Sequence, residues 1–111
     1  MTDKQAVVEQ VQLGLFKTRD ITLVTTLMCP EYKGVELDKV VPDDEWPTNG
    51  KPLCTFIMLV AEEAERNVVE WFEQHEAGGL PVQNTRVYDR CKKELVDAMR
   101  QARASVMGRR N

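Results

Sequence analysis

The chain has 111 residues, with 42% hydrophobic and 30% charged side chains and a net charge of −3. That length and balance suit one domain, 1–111, with a core of its own, and exclude a disordered polymer. The most apolar run, Leu53 to Ala61, is too short for a membrane span, and the opening MTDKQ mixes charges in a way that reads against a signal peptide.

The charge is unevenly distributed. From Asn84 onward lie eight of the 15 basic residues and three of the 18 acidic ones, so this segment carries +5 and the remainder −8. Two readings follow. The basic segment packs beside an acidic one within the fold or a dimer, or it is a patch that docks an acidic partner.

In chain order, Thr2 and Gln5 have the spacing of a capping box. Ala6, Val7, Val8, Val11 and Leu15 then recur at helical intervals, which predicts a first helix to about Lys17 that Gly14 weakens. Residues 21–28, ITLVTTLM, are dense in β-branched side chains and favour a strand, although the same letters also draw a helical stripe. Val35 to Val41 reads as a second short strand, forming a hairpin with the first across Tyr32-Lys33-Gly34. Pro42, Pro47 and the Asn49-Gly50 pair then interrupt regular structure.

Beyond Pro52 the pattern is helical. Leu53, Phe56, Ile57, Val60, Ala64, Val68, Trp71, Phe72 and His75 share one face of a long helix over 53–77, with a strand at 53–59 as the alternative for its first part. Gly78, Gly79 and Pro81 stop it. Asn84 caps a last helix over 84–107, whose apolar stripe includes Val87, Tyr88, Cys91, Leu95, Ala98, Met99, Ala102 and Val106. The expected fold is therefore mainly α: two long antiparallel helices plus an N-terminal helix, with a small β hairpin at 21–41.

The candidate chemistry is sparse. Cys29, Cys54, Cys91 and His75 form a permissible zinc set, but they are scattered singly, outside the tight knuckles of structural zinc sites. Cys54 and Cys91 lie in apolar surroundings and read as small buried hydrophobes, so neither a metal nor a cofactor is expected. Three cysteines in such a chain suggest a reduced, cytoplasmic setting. His75, the single histidine, sits near a helix end between Glu73 and Glu76, where a cation is favourable. No serine or cysteine occupies an elbow-like turn, and the Asp43-Asp44-Glu45 run lacks the spacing of a calcium loop. Catalytic residues are accordingly not assigned. A small enzyme centred on His75 is one alternative. A nucleic-acid binder using the basic last helix is another, opposed by the acidic body of the chain.

Partner binding is the leading expectation. Tyr32 and Trp46 are aromatic residues in a turn-rich stretch and are the candidate contacts for another protein. Leu95, Ala98, Met99 and Ala102 are the candidate homodimer interface, because two long helices have limited means of covering both their stripes. In length, acidity and element order, the chain resembles the small bacterial anti-activators of quorum-sensing regulators. That resemblance implies a homodimer that sequesters a transcriptional regulator without itself touching DNA. Secretion chaperones and toxin-immunity proteins share this profile. The expected function is regulation or inhibition of a partner protein, with no enzymatic activity.

Overall fold

The computed structural model describes residues 4–47 and 49–110, so the Thr2 capping box lies outside the described residues. Four α-helices pack on a three-stranded antiparallel sheet: α1 (Lys4–Gln12), β1 (Leu15–Thr18), α2 (Ile21–Leu27), β2 (Val35–Pro42), β3 (Cys54–Val60), α3 (Glu65–Ala77) and α4 (Thr85–Arg110). This is a mixed α+β architecture, and it corrects the mainly α expectation.

Each correction has a local cause. The first helix does not reach Lys17. Gly14 takes φ +79, a left-handed geometry that ends α1, and its carbonyl accepts from the Val60 amide at 2.9 Å as the chain enters β1. Residues 21–27 are helix instead of strand. Asp20 caps them, its carboxylate accepting from the Leu23 amide at 3.0 Å. Thr25 and Thr26 donate their hydroxyls to the Ile21 and Thr22 carbonyls at 2.8 Å, which satisfies two β-branched side chains inside the helix. Because Leu23 through Leu27 are all buried, neither periodicity stands out in the sequence.

The predicted helix over 53–77 divides. Cys54–Val60 is the strand β3, Ala61 is extended at ψ 149, and helix resumes after a single 3₁₀ turn. The strand kept as the alternative for the first part is the one observed. β2 lies where a strand is predicted, yet it does not pair with 21–28. Both β1 and β2 pair antiparallel with β3, giving the order β1-β3-β2. They are therefore parallel to each other with β3 between them, a split β-α-β unit whose crossover contains α2.

The last helix starts where it is predicted, after Asn84, but runs on through Gly108 to Arg110, beyond the expected end at 107. Asn84 Oδ1 accepts from the Arg86 and Val87 amides at 3.0 and 3.2 Å, and Gly78 and Gly79 close α3 on the Gln74 carbonyl. The two longest helices are not each other's main partners, however. α3 packs on α1, while α4 lies across β2 and α2. The basic helix is thus not laid along the acidic one.

The core forms between the sheet and the helices. Phe16, Phe56 and Met58 project from the strands and meet Leu23 and Leu27 of α2, Val68 and Phe72 of α3, and Leu95 of α4. Phe16 and Phe72 meet edge to face at 6.3 Å. Along β3 the even-numbered positions are buried and the odd-numbered ones are not, so all the helical cover falls on one face of the sheet.

Candidate functional site

His75 and Asp20 come together. Nε2 of the ring lies 2.7 Å from Asp20 Oδ2, linking the last turn of α3 to the first residue before α2. Burial pushes the Asp20 carboxyl up, but the Leu23 amide and the His75 ring outweigh it, and the net pKa falls below the ordinary carboxylate value. The same carboxylate caps α2 with its other oxygen, so both oxygens hold structure in place.

A pH dependence follows. A carboxyl with a depressed folded pKa adds stability that is fully present above its unfolded value of 3.8 and is lost as pH falls through the folded value. Asp20→Asn keeps a competent cap but loses the negative charge that faces the His75 ring. Solvent screening at a half-exposed carboxylate limits the expected cost near neutral pH to about 0.5–1 kcal/mol. Urea midpoints measured from neutral pH into the acid range should converge for the two proteins below the Asp20 titration. Curves that stay parallel would remove the assigned role.

The cysteines are free and buried. Cys29 and Cys91 lie beside each other, and burial, then the neighbouring Cys91 and Glu31, push the Cys29 thiol up to about 11. Cys91 donates to the Met28 carbonyl at 3.7 Å and Cys29 to the Thr25 carbonyl at 3.5 Å. Such a thiol is a poor nucleophile at neutral pH. Among the described residues, no group of three or more His, Cys, Asp or Glu side chains converges on a possible metal position. No helix among them is long and apolar enough to cross a membrane.

The candidate contact residues fall in different settings. Tyr32 is only 7% exposed and belongs to the core. Its ring stands edge-on to Trp71 at 5.0 Å, and its hydroxyl donates to the Pro81 carbonyl. Beside it, Glu31 accepts from the Gln83 amide at 2.8 Å, so this turn clamps the linker between α3 and α4. Trp46 is half-buried in the β2–β3 loop. Of the proposed dimer residues, Leu95 and Met99 are buried within the protomer, whereas Ala98 and Ala102 are half-buried. Leu95 and Met99 join the core beneath the sheet, which supplies intrachain cover that two helices alone would lack.

The feature missed from the sequence is the second face of the sheet. Cross-strand partners point to the same side, so the register places Leu15, Leu59 and Glu36 in one row. Lys17, Ile57 and Lys39 form the next row, and Thr55 and Val41 the third. A bulge at Asp38 keeps Glu36 and Lys39 on this side. Leu59 and Val41 are 37% and 41% exposed, and Leu15 and Ile57 are half-buried. An apolar stripe therefore runs down the centre strand, with lysines flanking Ile57 on both sides.

The composition of β3 could have signalled this. C-T-F-I-M-L-V is apolar at nearly every position, the pattern of a strand covered on both faces, whereas a strand covered on one face normally alternates with polar residues. Read as part of a helix, that excess of apolar side chains raised no question. No family model, curated protein or solved structure significantly matches the chain.

Proposed function

We propose that the protein is a binding module that regulates or inhibits a partner protein by docking on the open face of its sheet. One observation carries this reading: β3 is apolar on both faces, and the helices cover only one. Exposed apolar surface arranged in a contiguous stripe marks interaction sites more often than chance placement does.

The charges indicate what kind of partner fits. Lys17 and Lys39 lie on the strands either side of Ile57, about 10 Å apart from the strand spacing. They suit an apolar ridge flanked by carboxylates. A second copy of the chain packed with its strands aligned fits less well, because a twofold axis centred on Ile57 and running along or across the strands sets lysine against lysine. A transcriptional regulator, the partner class of the anti-activators this chain resembles, is the first to assay.

The test is affinity purification from the native cell with wild type, Ile57→Glu and Lys93→Glu, the last altering an exposed position on α4, remote from the open face. The expected result is one stoichiometric partner, retained by wild type and Lys93→Glu and weakened by about tenfold or more in Ile57→Glu, as for loss of a central interface anchor. Because residue 57 is half-exposed, the variant should still fold, which circular dichroism checks. Equal retention by all three proteins would reject the docking face. Concentration-dependent dimers in light scattering, abolished by Ile57→Glu, would replace the heterologous partner with a second copy.

A further inference from the structure

We infer that a pocket on the helical side of the sheet binds a small carboxylate with a compact apolar body, of the size of benzoate. The pocket opens between the start of α2, the start of β3 and the middle of α4, and encloses about 130 Å³. Apolar cavities of roughly 150 Å³ take up a benzene ring. Its floor is made by Cys54, Phe56 and Met99, all buried, so a ligand meets a surface already shaped by the core.

The rim differs in character. Ile21 and Leu53 form its apolar lip and are 38% and 58% exposed, a cost that an occupant would relieve. The charged lining consists of two guanidinium groups, Arg19 and Arg103, and no acidic side chain lines the pocket among the described residues. Among the described residues each guanidinium is held by one bond. Arg103 Nε donates to the Pro52 carbonyl at 2.9 Å, and Arg19 reaches Asp43 at 3.0 Å. For Arg103 that leaves the terminal nitrogens, the pair that grips a carboxylate, without a partner among the described residues. Half-burial of the Arg103 side chain lowers the local dielectric and strengthens that grip.

The combination selects by chemistry. An apolar floor without a counter-charge would accept any small hydrocarbon, and arginines without a floor would accept any anion. Together they favour a ligand with both parts, an aromatic or branched aliphatic group one or two bonds from a carboxylate. The inference is independent of the docking face, since Cys54 and Phe56 point into the pocket while Thr55 and Ile57 point to the opposite side of the sheet.

The test follows the Met99 methyl resonance by NMR, in protein labelled at the methionine methyls, during titration with sodium benzoate at constant ionic strength. Benzyl alcohol supplies the body without the charge, and sodium acetate the charge without the body. Benzoate is expected to give a saturable shift with a Kd of about 1 mM or tighter, and each control to bind about tenfold more weakly or worse. Arg103→Gln should weaken benzoate by about tenfold. Ile21→Trp, at a lip position that tolerates a larger side chain, should block the pocket and abolish the shift while the protein stays folded. Absence of a saturable Met99 shift with benzoate in the wild type would overturn the site. So would equal binding of benzoate and benzyl alcohol, or binding unaffected by both substitutions.

Discussion

Tyr32→Ala is expected to destabilise the protein by about 3–5 kcal/mol, the range for truncating a buried aromatic side chain. The ring fills the space against Trp71, and the hydroxyl is anchored on the Pro81 carbonyl. Removal therefore opens a cavity and also releases one tie on the linker, leaving it held by the Gln83 amide on Glu31. Tyr32→Phe separates the two contributions. It preserves the packing and gives up one hydrogen bond, which costs about 1 kcal/mol. Equilibrium urea unfolding of both variants reads the difference. A Tyr32→Ala midpoint close to that of wild type would mean that the ring is not a core element. Loss of a binding partner in Tyr32→Ala would report unfolding before it reported an interface, so the open sheet face is the place to probe recognition.

Gly34→Ala is expected to cost roughly 2–4 kcal/mol, combining a left-handed backbone with overpacking. Gly34 has φ +86, and an added methyl would sit 2.6 Å from the Ala64 Cβ. The close approach has a structural purpose: the Gly34 carbonyl accepts from the Ala61 amide at 2.8 Å, fastening the start of β2 to the end of β3. The two parts separate in a double-mutant cycle with Ala64→Gly, which removes the steric conflict and leaves the backbone strain. A favourable coupling of at least about 1 kcal/mol is expected between the two changes. Additivity would show that the methyl is accommodated by movement elsewhere.

Parts of this fold were legible in the sequence for clear physical reasons. α4 announces itself through Asn84, a long run of apolar spacings and no internal proline. The end of α3 is marked by two glycines and a proline. What could not be read were two segments where local and tertiary preferences coincide. In the short helix at 21–27 the five residues from Leu23 to Leu27 are all buried, so no polar face reveals their period. Between Val60 and Glu65 no glycine or proline marks the change from strand to helix, and the apolar positions of β3 happen to continue the stripe of α3. Strand order was equally hidden, because pairing partners are chosen by the sheet as a whole and not by sequence neighbours. The candidate face was missed for the same reason as β3 itself. Ile57 looks like a core residue of a helix, and it lines an open face beside Leu59 only once the segment is extended.

The position of β3 also sets an order of assembly. It is the last strand in the chain and the middle one in the sheet, so every ladder hydrogen bond of the sheet involves it. A nascent chain that has not yet reached Cys54 can form helices but holds two strands with nothing to pair against. Leu15 must wait for Leu59, and closing so long a loop costs entropy before any pairing repays it. During synthesis the inner edges of β1 and β2 are consequently the surfaces most open to wrong partners, and the arrival of seven residues covers them, leaving only the two outer edges of the finished sheet.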